Sequence, residues 1–184
     1  MSRRPWWATE RPDRALVRAA AWFAAGAIAV VVAVALLVWA LAPASWQSLI
    51  VADQRTDATA LTVISIWANN LLICCVPVLG GVFAHRLARG GRRGWARVVV
   101  ATAGLSVVRS LLVVGIVGGL DPAWLVAAVP WWTVEIAALS ACCAAGWLAL
   151  SDADTRAASR RLAHALTFAT GALAVAAAVE VALT

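Results

Sequence analysis

The sequence predicts an all-α, polytopic integral membrane protein: a bundle of about five transmembrane helices, with the N-terminus in the cytoplasm and the C-terminus outside. Three observations predict it. Hydrophobic residues make up 64% of the 184 and charged residues only 13%, with a mean hydropathy of +0.88, which leaves too little polar surface for a water-soluble domain of this length. The apolar residues gather into long runs with few or no charges, rich in Ala and Leu and without the alternation of strands. Finally, thirteen arginines fall in every second connection between these runs, against one in the others. By the positive-inside rule that alternation needs an odd number of spans and sets the orientation. The predicted organisation is a basic cytoplasmic segment, 1–18, followed by one transmembrane domain, 19–184, in the cytoplasmic (inner) membrane.

The first span, about 19–42, carries no charge and follows Arg3, Arg4, Arg11, Arg14 and Arg18. Its apolar stretch is longer than the roughly 15 residues of a signal peptide's core, so it reads as an uncleaved anchor. Glu10 and Asp13 stand between the Arg3-Arg4 pair and the apolar run, against a twin-arginine signal. The connection to the second span holds Asp53, Arg55 and Asp57. The second span, about 61–84, contains Asn69, Asn70 and Pro77, with Gly80-Gly81 adding flexibility at the predicted kink. Arg86, Arg89, Arg92, Arg93 and Arg97 then mark a cytoplasmic connection. The third span, about 98–120, contains Arg109 and a Gly115-x-x-x-Gly119 motif that permits close helix contact.

Asp121 to Val129 reads as a short interfacial helix. The fourth span, about 131–150, follows Pro130 and contains Glu135. A polar stretch with Asp152, Asp154, Arg156, Arg160 and Arg161 reads as a second short helix lying on the membrane surface. The fifth span, about 162–183, is Ala-rich and interrupted by His164 and Glu180. Trp22 and Trp95 fall near cytoplasmic ends, and Trp39, Trp46, Trp124, Trp131 and Trp132 near outer ends, as interfacial belts require.

The net charge of +6 and pI near 10.9 do not point to nucleic acid, because the arginines sit between membrane spans. The absence of Lys among fifteen basic residues reflects genome composition. The four cysteines form two adjacent pairs, Cys74-Cys75 and Cys142-Cys143, inside apolar runs and without zinc-ligand spacing. They read as small core residues. No HExxH, GxSxG, P-loop or dinucleotide fingerprint occurs, so neither enzyme activity nor a cofactor or metal is expected.

The polar residues inside the spans carry the functional question. A helix rises 1.5 Å per residue, so Asn69 and Asn70 lie roughly 12–14 Å from the outer end and Arg109 roughly 16 Å. Glu135 lies roughly 6 Å deep if its helix begins at Trp131, and roughly 18 Å if it begins at Ala123. An isolated charge at mid-bilayer costs at least about 3 kcal/mol. The expectation is therefore an intramembrane polar cluster of Asn69, Asn70, Arg109 and Glu135, in which Glu135 pairs with Arg109 and the amides satisfy what remains. Such a cluster is either a packing bridge that holds the fold or a functional site.

Segment two carries Ile66-Trp67-Ala68-Asn69-Asn70 followed by Gly80-Gly81. Segment three ends in Gly115-Ile116-Val117-Gly118-Gly119, and segment four opens with Pro130-Trp131-Trp132-Thr133-Val134-Glu135 before the small residues of Ala137 to Gly146. Over about Leu61 to Leu150 this resembles the stage II sporulation protein M family of small integral membrane proteins. It departs from the family where Trp131-Trp132 replaces His-Gly and where Arg109-Ser110 stands at a frequent Asn-Gly. The resemblance implies a membrane scaffold that recruits wall-remodelling enzymes, an amidase and a lytic transglycosylase in spore formers. The expected partners are the lipid bilayer, cell-wall hydrolases or other membrane proteins, and a second copy of the chain. The rival expectation is a permease subunit working with a separate ATPase, which the basic connection from His85 to Arg97 would touch.

Overall fold

The structure is a computed structural model that describes residues 13–42, 59–151 and 154–183. It consists of five long helices: α1 (Arg14–Leu41), α2 (Ala60–Arg89), α3 (Arg93–Leu120), α4 (Pro122–Ala149) and α5 (Thr155–Leu183). All five are long and apolar enough to cross a membrane, and the described residues contain no strand. The chain is thus a multi-pass membrane protein. Large apolar side chains such as Leu36, Leu37, Leu72, Leu105 and Phe168 stand exposed on the outside, where only lipid would cover them.

The helices outrun the apolar segments, chiefly at their arginine-bearing ends. Arginine is a good helix former, and its long stem lets the charge reach the headgroups while the backbone stays helical. Two expectations are corrected. Asp121 to Val129 is not a separate interfacial helix. Asp121 caps α4 instead, its Oδ1 accepting from the Trp124 N–H at 3.0 Å, and Pro122 sits in the first turn, where its missing N–H has no cost. The predicted surface helix near 152–161 is likewise the start of α5, whose first residue is Thr155; Asp152 lies outside the described residues. The connection between α2 and α3 is a tight turn. Gly91 there has φ of 79°, a left-handed conformation that a glycine adopts without strain.

Around α4 stand α1, α3, α2 and α5, and α4 packs against all four. Its buried face is built from small residues, among them Ala138, Ala144, Ala145, Gly146 and Ala149. In lipid the helices gain little from hydrophobic burial, so close backbone approach and dispersion contacts hold them. The closest approach joins α2 to α4. A Cβ placed on Gly146 would collide with the Pro77 carbonyl oxygen, and one on Gly81 would stand 2.7 Å from the Gly146 Cα. Gly80 faces Ala103 of α3, where a Cβ would come to 3.0 Å of the alanine's. Gly115 and Gly119 lie against α1. Added Cβ atoms there would meet Val34 at 2.8 Å and the Ala35 carbonyl at 2.5 Å.

Hydrogen bonds between helices add to this packing. The Trp67 indole donates to the Thr170 carbonyl at 3.1 Å, tying α2 to α5. His85, only 5% exposed, sits with Nδ1 at 2.8 Å from the Ala149 carbonyl and Nε2 at 3.3 Å from the Thr155 hydroxyl. It thereby meets one of the carbonyls left open at the end of α4. Arg89 also donates to Thr155, and Arg161 pairs with Asp13 across α5 and the start of α1. These contacts gather the arginine-bearing ends of the helices at one end of the bundle.

Candidate functional site

The candidate site follows from how α3 crosses its neighbours. Near the arginine-rich end α3 touches α2, through Ala103 and Gly80; toward the other end it touches α1, through Gly115 and Gly119. It therefore leans away from α2 and leaves a cleft between them, with α4 as the floor. The cleft holds a cavity of about 600 Å³ lined by Asn69 and Asn70 of α2, Ser106, Arg109 and Ser110 of α3, and Trp132 and Glu135 of α4. A second cavity of about 380 Å³ shares Asn69, Asn70, Trp132 and Glu135 and continues toward Ser65, Trp124 and Glu180. Together they make one track from the arginine-poor end of the bundle to its middle, its polar groups set among apolar side chains such as Ile73, Leu111, Val114 and Leu139.

All four residues of the expected cluster line this track, but they are not paired as expected. Asn70 Nδ2 donates to Glu135 Oε1, and Asn69 Nδ2 lies 3.5 Å from Asn70 Oδ1. Among the described residues, no ion pair joins Arg109 to Glu135, which corrects the predicted pairing. The reason is geometric. The α2 helix packs closely on α4 and brings Asn70 to the carboxylate, whereas α3 touches α4 far less and keeps Arg109 on the opposite wall of the cleft. Glu135 is half-buried, while Asn69 and Arg109 are exposed. Because α4 begins at Pro122, Glu135 stands roughly 20 Å along its helix, near the greater of the two depths the sequence allowed.

The chain matches no protein-family model, no curated protein and no solved structure.

The other singled-out residues lie around the site and not in it. Pro77, Gly80 and Gly81 form the contact below the cleft, and α2 continues as helix through Pro77. Gly115 and Gly119 hold the far end of α3 to α1 and so keep the cleft open. Pro130 is inside α4 and exposed. Cys74 and Cys142 are buried in the core, Cys75 and Cys143 are partly buried, and all four are free thiols. Among the described residues, no three His, Cys, Asp or Glu side chains gather as a metal-binding group.

Four residues escaped sequence reasoning. Ser106 and Ser110 are small polar residues in an apolar run, and only their places three residues before Arg109 and next to it mark them: the first shares its helix face and the second adjoins it. Glu180 was visible as a charge in the last span, but nothing in the sequence ties it to Glu135. Gly146 stood among the small residues of α4 without any sign that it meets α2 so closely.

Proposed function

We propose that the chain is a non-enzymatic docking subunit of the cytoplasmic membrane, oriented N-in and C-out, whose α2–α3 cleft receives a polar transmembrane segment of a partner. The single observation that carries this reading is Arg109. It is exposed midway along a membrane-spanning helix, in an open cleft, with the nearby carboxylate engaged by Asn70. An arginine left facing hydrocarbon costs at least about 3 kcal/mol, so a protein partner that supplies an acceptor there gains what the lone chain lacks. The class of partner rests on the resemblance to the stage II sporulation protein M family. The residues that carry it, Asn69 and Asn70 of α2 and Glu135 of α4, line one cavity. Envelope-remodelling enzymes are accordingly the partners proposed.

A second reading, a permease subunit working with a separate ATPase, is favoured by the continuity of the two cavities, which would let a solute reach mid-membrane from one face. A mild-detergent pull-down of tagged protein from its native membrane separates the two. Arg109→Gln and Glu135→Ala are run beside the parent chain, and partners are identified by mass spectrometry. Wall hydrolases that co-purify with the parent and not with folded Arg109→Gln support docking. A nucleotide-binding subunit that is retained by every variant overturns it in favour of transport.

A further inference from the structure

A different part of the molecule carries a second site. At the arginine-rich end, α2, α3 and α4 border an open cavity of about 620 Å³, separate from the polar track. Arg89, Arg93 and Arg97 line it, with the buried His85 at its inner wall. Ala88, Ala96, Leu150 and the half-exposed Trp147 form its apolar side. No carboxylate lines it among the described residues, and Arg93 and Arg97 make no ion pair there.

Three exposed guanidinium groups bordering one cavity concentrate positive charge that a bound anion would neutralise. The backbone adds to the imbalance. The first turn of α3 has no acidic residue and no side-chain cap, so the positive end of a 28-residue helix opens beside these cations. A phosphate group answers both, because it accepts paired hydrogen bonds from guanidinium and is favoured at a helix N-terminus. The position of the cavity selects the source of that phosphate. It lies at the end of the membrane-spanning helices, where headgroups are found, and its Trp147 wall is the kind of side chain that rests at the boundary between headgroup and acyl chain.

We infer that the cavity formed by Arg89, Arg93, Arg97 and Trp147 binds the phosphate headgroup of an anionic phospholipid from the leaflet at the arginine-rich end. Arg89 is already steadied by its bond to Thr155, so it presents a fixed donor, while Arg93 and Arg97 close on the lipid from α3. A bound lipid then links α2, α3 and α4 at the end where α2 and α3 are joined only by a short glycine turn.

The test uses the full chain in nanodiscs of phosphatidylcholine with phosphatidylglycerol, released into mild detergent and weighed with its retained lipids by native mass spectrometry. The parent protein is expected to retain phosphatidylglycerol in preference to phosphatidylcholine. Arg93→Gln with Arg97→Gln should weaken that preference by roughly tenfold or more. Arg14→Gln with Arg18→Gln removes the same charge from the same end of the bundle and should leave it intact. Absence of any preference in the parent overturns the inference. So does an equal loss in both double variants, which would mean diffuse surface attraction. Displacement of the lipid by millimolar inorganic phosphate would make this a site for soluble anions and also overturns it. Should the Arg93/Arg97 variant fail to fold, phosphatidylglycerol with a photoreactive headgroup decides. Labelling of the parent within residues 85–97 and 147–151 supports the site, and labelling elsewhere removes it.

Discussion

Asn70 and Glu135 show what a single hydrogen bond settles inside a membrane. With the amide donating to it, Glu135 no longer needs Arg109, and Arg109 becomes available to something outside the chain. Asn70→Ala should therefore lower stability in mixed micelles by about 0.6–1.7 kcal/mol, the range for hydrogen bonds between transmembrane helices. Arg109→Gln should leave the stability of the isolated chain unchanged or slightly raised. Reversible unfolding followed by steric trapping measures both, and a larger loss for Arg109→Gln would show that the arginine is held within the chain after all. At the arginine-rich end, burial pushes the Asp13 carboxyl upward, but the hydrogen bond from Arg161, the Ala15 N–H and the guanidinium charge outweigh it and hold the group below its ordinary value. A lowered carboxylate adds stability above its unfolded value and loses it as pH falls through the folded one. The Asp13–Arg161 contact should accordingly be intact at neutral pH and fade below about pH 4. Both side chains are partly exposed, so Asp13→Asn should cost only about 0.2–1 kcal/mol at pH 7, and the cost should shrink as pH falls below the ordinary carboxylate range.

At the scale of elements, the glycines sort by what surrounds them. Gly146 has the Pro77 carbonyl where a side chain would go, so Gly146→Ala must push α2 from α4 and should destabilise by about 1–3 kcal/mol. Gly26 and Gly171 have nothing within 4 Å of an added Cβ, so Ala at either should be neutral or stabilise by up to about 1 kcal/mol. Retention of the folded peak on size exclusion after graded heating ranks the three variants. A Gly146→Ala protein as robust as Gly26→Ala would mean that α2 and α4 stand farther apart than described. The close contact at Gly119 has a second consequence. Gly119→Val should shift α3 off α1 and narrow or widen the cleft, altering partner capture without touching a polar residue.

For the whole molecule, the order of the five helices puts the start of α1 and the end of α5 at opposite ends of the bundle. Reporter fusions at the two termini should read opposite sides, with the N-terminus cytoplasmic by the proposed orientation; termini on one side would overturn the five-span arrangement. Much of this plan was legible beforehand. Burial of apolar surface in lipid depends on composition along the chain, so the spans near 19–42, 61–84, 98–120, 131–150 and 162–183 could be marked from hydropathy. Their helical ends could not, because Arg14, Arg89 and Arg93 continue a helix without being apolar. Asn69, Asn70, Arg109 and Glu135 were equally legible, because an amide or charge within a span stands out by its cost; Ser106 and Ser110, which cost little there, did not stand out. By itself, then, the sequence determined that five apolar helices form and that Asn69, Asn70, Arg109 and Glu135 lie within them. Only the tertiary structure decided who meets whom: Asn70 with Glu135, Gly146 with Pro77, His85 with Ala149, and Arg109 with an open cleft. Depth is a property of one helix and its sequence. Pairing depends on rotation about each axis and on how the helices cross, and those are set by the close contacts of small residues from different helices.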